Sequence, residues 1–178
     1  MKTLKHALKF GLIAGVVMTS SWFLGHLFLS GGEEGYDFTQ GEFLGYAAMI
    51  LALSAVFVGV KQHRDKVLNG VISFKDAFVM GLYIVLVASA IYVVGWMIYY
   101  PNFMPDFTDQ YMEYQVKSWK EDGLSAEEVA QNQREMTEWM ELYEQPVVMA
   151  GMTFMEIFPV GLVVVLISAA VLRKKSSE

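Results

Sequence analysis

The sequence predicts an all-α integral membrane protein: four transmembrane helices, with an extracytoplasmic helical hairpin between the third and the fourth. Three observations carry that expectation. The apolar residues, 54% of the 178, are gathered into four runs at residues 10–29, 43–60, 77–100 and 147–172. Each run is close to the 20 or so residues that a helix needs to cross the hydrocarbon of a bilayer. The connections between runs alternate between basic and acidic, and the mean hydropathy of +0.37 is high for a water-soluble domain with a net charge of −6.

Taken in order, the chain opens with Lys2, Lys5 and Lys9 around His6, then the first run. A basic start before an apolar core is also how a secretory signal begins. This run is longer than a usual signal core, and Ser30-Gly31-Gly32 reads as a turn rather than a cleavage site, so a retained helix is expected. Residues 30–42 hold Glu33, Glu34, Asp37 and Glu42 and no basic residue. The second run leads into Lys61, Arg64, Lys66 and Lys75, set against Asp65 and Asp76. The third run is uncharged and ends in Trp96, Tyr99 and Tyr100, aromatics of the kind found at headgroup level. Pro101 and Pro105 are expected to stop that helix, because proline has no N–H and disfavours helix in the residue before it. The fourth run ends at Arg173-Lys174-Lys175. Because Lys and Arg collect on the cytoplasmic side, both termini and the second connection are placed inside, and the first and third connections outside.

Residues 102–145 form the one sizeable polar segment and read as a helical hairpin. Phe107, Tyr111 and Tyr114 share a helical face. Asp122-Gly123 supplies a left-handed cap that ends the first helix. Ser125-Ala126-Glu127-Glu128 has the form of a capping box that starts the second, with Leu124 and Val129 as its hydrophobic staple. Acids on the outer face are read as solvated, whereas Trp119, Trp139 and Tyr143 form a candidate surface for a protein partner.

Inside the fourth run stands Glu156, one turn before Pro159. It lies roughly 14 Å into the run at the helical rise, near mid-membrane, where an ionised carboxylate costs at least ~2.5 kcal/mol. It therefore faces the bundle interior, stays protonated, or both. Pro159 leaves the Met155 carbonyl without its helical donor. His26 on the first span is a candidate partner: its level differs from that of Glu156 by about 7 Å, and the two side chains lean toward each other on antiparallel helices. Thr19, Ser20, Ser54 and Tyr92 are alternatives. The bland reading of Glu156 is a packing acid that hydrogen-bonds across helices; the sharper one is a proton- or cation-handling carboxylate. Gly11–Gly15 and Gly41–Gly45 have the small-xxx-small spacing and are read as internal helix crossings before dimer contacts.

Other constellations are weaker. His6, His26 and His63 cannot converge, because His26 belongs near the opposite face from the other two. Met136, Met140, Met149, Met152 and Met155 have thioethers that suit Cu(I), but their spacing is that of core filling. The chain has no cysteine, so it offers no disulfide, zinc–thiolate or iron–sulfur site. No cofactor or metal is expected, and no nucleic-acid partner.

Four stretches carry a family resemblance: Gly59-Val60-Lys61-Gln62-His63-Arg64-Asp65; Asn69-Gly70 through Phe74 and Ala77; Tyr99-Tyr100-Pro101-Asn102-Phe103; and Ala150-Gly151-Met152-Thr153-Phe154-Met155-Glu156-Ile157-Phe158-Pro159-Val160-Gly161. The chain resembles a family of small bacterial membrane proteins known as domain of unknown function 4199 (DUF4199). The last stretch is the most specific, since Glu and Pro are rare inside an apolar helix. The resemblance implies four spans in a bacterial inner membrane and brings no catalytic residues. The expected function is a non-enzymatic accessory or scaffolding component of a membrane complex, with the bilayer and a membrane-protein partner or second copy as its contacts. The alternative is a small transporter or channel that uses Glu156; an intramembrane enzyme ranks third.

Overall fold

The computed structural model describes residues 2–29 and 38–174, with the backbone alone at residues 2 and 26–29. The described residues form six helices: α1 (Lys2–Leu29), α2 (Phe38–Val67), α3 (Phe74–Phe103), α4 (Phe107–Glu121), α5 (Ala126–Tyr143) and α6 (Pro146–Leu172). Four of them, α1, α2, α3 and α6, are long and apolar enough to cross a membrane. The all-α class and the four spans thus stand as the sequence predicts. The helices run past the apolar runs, because the flanking Lys, Arg and Gln are themselves good helix formers. The acidic stretch at residues 30–37, with the turn expected at its start, lies outside the described residues. One expectation is corrected: Pro101 sits inside α3, and the helix ends at Phe103, before Pro105. So close to a helix end, the missing N–H of Pro101 frees a single carbonyl, which is tolerable.

The chain divides into two compact units, one made of Met1–Gly95 with Thr153–Glu178 and the other of Trp96–Met152. The first holds the bundle. Its centre is α3, which meets each of the other three spanning helices at a glycine that removes a side chain. A Cβ on Gly11 of α1 would meet Val87 Cβ at 2.5 Å, and one on Gly59 of α2 would meet Ile84 Cδ1 at 2.6 Å. One on Gly161 of α6 would meet Val85 Cγ1 at 2.5 Å. Close backbone approach of this kind is how helices associate where lipid removes any hydrophobic drive between them. Gly11 and Gly15 therefore serve internal packing, as expected. Gly45 does not: among the described residues nothing lies within 4 Å of the Cβ it would carry. Around these crossings Leu53, Val56, Met80, Ile84, Ile157 and Val165 are sealed.

The two ends of this bundle differ. At the basic end, Asn69 (φ 54°) and Gly70 (φ 88°) make the left-handed turn after α2. Ser73 caps α3: its Oγ accepts from the Asp76 N–H at 3.0 Å and donates to the Asp76 carboxylate at 2.6 Å. Ile72 and Lys174 then exchange backbone hydrogen bonds at 3.1 and 2.9 Å, the single bridge among the described residues. Arg64 donates to the Leu172 carbonyl at 3.2 Å and so serves the end of α6. At the far end, α2 presents Phe43, 72% exposed, and Leu51, 69% exposed.

The second unit is built on caps and rings. Gly123 (φ 83°) closes α4, with the Leu124 N–H bonded to the Trp119 carbonyl at 3.0 Å and the Gly123 N–H to that of Lys120 at 3.2 Å. These two bonds form a Schellman motif. Ser125 and Glu128 form the capping box that the sequence announces. Trp96 Nε1 donates to the Tyr143 hydroxyl at 2.6 Å, and the Tyr100 ring meets that of Tyr143 edge-on with centroids 5.8 Å apart.

Candidate functional site

The contacts between α3 and α6 fix their register. Gly161 meets Val85, and Val165 meets Gly81, so four residues up one helix match four residues down the other, as antiparallel helices require. Ser89 continues the row of Gly81 and Val85, while Ile157 and Thr153 continue that of Val165 and Gly161. The same register sets Ser89 level with Ile157, and Tyr92 level with a residue between Thr153 and Glu156. The seam is thus apolar where glycines meet valines and turns polar one helical turn further on. Ser89 is 0% exposed and Thr153 2%, and neither hydroxyl has a hydrogen-bond partner among the described residues.

Glu156 sits beside this polar stretch, about 15 Å from the start of the 27-residue α6. The Tyr92 hydroxyl reaches its Oε1 at 3.5 Å, the outer limit of a hydrogen bond. Tyr92 is buried, 7% exposed, with its ring against Trp22 at 4.8 Å between centroids. Glu156 itself is exposed on the unit's surface, although Ile157, beside it, is fully buried. An acid that the sequence places in the interior or in neutral form therefore stands at the edge of the seam, joined to the core through tyrosine.

Of the sequence candidates, Tyr92 is the one seen to reach Glu156. Thr19 and Ser54 give their hydroxyls to their own helix, at Gly15 O (3.0 Å) and Leu51 O (2.5 Å). The side chain of His26 lies outside the described residues. Pro159 is exposed on α6, one turn from Glu156. In the other unit, Trp139 is 61% exposed, Trp119 is half-buried, and Tyr143 is engaged by Trp96. Among the described residues no group of three His, Cys, Asp or Glu side chains converges as a metal site would need.

Sequence reasoning missed Ser89 and Thr153. The signal was available, since each stands one helical turn before a member of the Tyr92–Glu156 pair. It also missed a second polar pair, His6 and His63, whose rings lie 5.7 Å apart between α1 and α2. His6 Nε2 and His63 Nδ1 are buried without partners. No sequence signal could bring together two residues from helices whose pairing was not known.

The fold defines an all-α protein of four candidate membrane spans, with the carboxyl of Glu156 well inside the last of them. The chain belongs to the family described as protein of unknown function (DUF4199), which matches residues 9–174. No curated protein and no solved structure matches it.

Proposed function

We propose that the protein is a non-enzymatic membrane protein that handles protons or small cations at Glu156, as a small transporter or channel. The observation supporting this reading is the setting of that carboxyl. It lies well inside a spanning helix, is exposed at the surface of the bundle, and is held by the Tyr92 hydroxyl. A carboxyl kept for packing alone is best sealed among helices with its hydrogen bonds complete. One that is held by a single donor and otherwise open can take up a positive charge and release it. The test is flux in proteoliposomes, with protons and alkali cations measured for wild type and Glu156→Gln. The expected result is a flux in wild type that the substitution abolishes. A folded wild type that passes neither ion overturns the reading.

The accessory-subunit reading, which the sequence alone puts first, becomes the second. Two observations favour it: Trp139 is 61% exposed on the hairpin, and the far half of α2 presents Phe43, Leu44, Tyr46, Ile50 and Leu51. Exposed tryptophan is characteristic of contact centres. Photo-crosslinkers placed at positions 139 and 43, followed by purification in mild detergent, test this reading. A stoichiometric membrane-protein partner or a second copy of the chain is expected, and failure of both positions to capture either would count against it.

A further inference from the structure

Resting on that reading, we propose that the polar stretch of the α3–α6 seam binds one sodium-sized monovalent cation through Ser89, Tyr92, Thr153 and Glu156. The first ground is register. At about 1.5 Å per residue, the four residues fall within about 6 Å of one another along the helix axes. Ser89 and Thr153 also lie on the rows that α3 and α6 turn toward each other, shown by the Gly81–Val165 and Val85–Gly161 contacts.

The second ground is the unfilled hydroxyls. A serine or threonine in a spanning helix has a ready acceptor in a carbonyl of the preceding turn, which Thr19 uses at 3.0 Å. Ser89 and Thr153 do not use theirs, although both are more than nine-tenths buried. An unmade hydrogen bond at such a site costs about 1–3 kcal/mol; Thr153 stands one turn before Glu156 on α6, and Ser89 one turn before Tyr92 on α3. A bound cation accounts for both, because it takes the lone pairs of hydroxyl oxygens directly.

The third ground is ligand chemistry. The four side chains offer only oxygen, which suits hard cations rather than transition metals. They carry one formal negative charge between them when Glu156 is ionised. A monovalent cation makes the site neutral, whereas a divalent one would leave net charge in the hydrocarbon, where it is costly.

The experiment is equilibrium binding of radioactive sodium to the full chain in detergent, with choline as the background cation. It is paired with melting curves in the presence and absence of sodium. Wild type should bind one sodium per chain and melt higher with it, since a ligand specific to the folded state stabilises that state. Glu156→Gln should abolish binding. Thr153→Val and Ser89→Ala should each weaken it at least about tenfold, the scale of one lost ligand hydrogen bond. Thr153→Ser, which keeps the hydroxyl, should bind nearly as wild type. In choline alone, Thr153→Val should melt no lower than wild type, because it removes a polar atom that has no partner. A folded wild type with no saturable sodium binding overturns the site and leaves buried water as the filler of the seam. So does a Thr153→Val variant that binds as wild type. A Glu156-dependent proton flux without sodium binding would sink this site while leaving the functional reading intact.

Discussion

In the spanning unit, Gly11, Gly59 and Gly161 make room for Val87, Ile84 and Val85. In the hairpin unit, Gly123 and Ser125 close helix ends with hydrogen bonds. The first solution is steric and the second polar, and the media explain the difference. Between helices in lipid there is no hydrophobic gain to be had, so association depends on how closely backbones can approach. Helices with charged faces, such as α4 and α5, are too polar to be candidate spans, and caps satisfy the end of α4 and the start of α5. One chain thus carries two kinds of stabilisation, which different substitutions should disturb.

The largest effect should come from Gly59→Ala. Its new methyl would fall 2.6 Å from Ile84 Cδ1 and 2.9 Å from Phe10 Cγ, and the aromatic ring cannot give way cheaply. We expect a loss of about 1–3 kcal/mol in detergent unfolding, with amide exchange in α5 unchanged. Loss of α5 protection as well would break the distinction between the units. Ser125→Ala should cost about 1 kcal/mol, read as faster amide exchange in the first turn of α5 and no change in bundle unfolding.

A smaller, pH-dependent effect belongs to Glu128. The Ser125 hydroxyl and backbone N–H, at 2.7 and 2.8 Å, hold its carboxyl below the usual glutamate range. A carboxyl lowered by folding contributes stability that is fully present above its unfolded value and is lost as pH falls through its folded one. Acidification should therefore loosen the start of α5 only below the ordinary glutamate range. Glu128→Gln should remove that pH dependence from α5 exchange. The smallest effect is that of Gly45→Ala, on the same helix as Gly59, where the added methyl meets nothing within 4 Å. It should leave the isolated protein within about 1 kcal/mol of wild type. A larger loss that appears only in native membranes would show that another chain covers this part of α2.

What the sequence made legible was local. The Ser125–Glu128 box and the Gly123 cap rest on residues no more than five apart, and each is where the pattern put it. The four spans could be read because each is one continuous run. Tyr92 stood among five candidates for Glu156, but nothing in the sequence could choose it, since the choice depends on which face of α3 meets α6. Ser89 and Thr153 could have been suspected from their place one turn before Tyr92 and Glu156, but only the Gly161–Val85 contact puts them on facing rows. Pro101 misled for a different reason: the rule against proline in helices is strict in their middles and lenient near their ends.

The exchange of hydrogen bonds between Ile72 and Lys174 bears on how the protein is made. Residue 72 leaves the ribosome about a hundred residues before its partner, so α1, α2 and α3 can enter the membrane and meet at their glycines while α6 is still unwritten. The Ser89 row then waits, unpaired, for Thr153 and Glu156. Only when Arg173 and Lys174 have been translated can the turn after α2 be fastened to the end of α6. Synthesis thus delivers the one acidic residue of α6 last, into a bundle whose other three helices are already there to receive it.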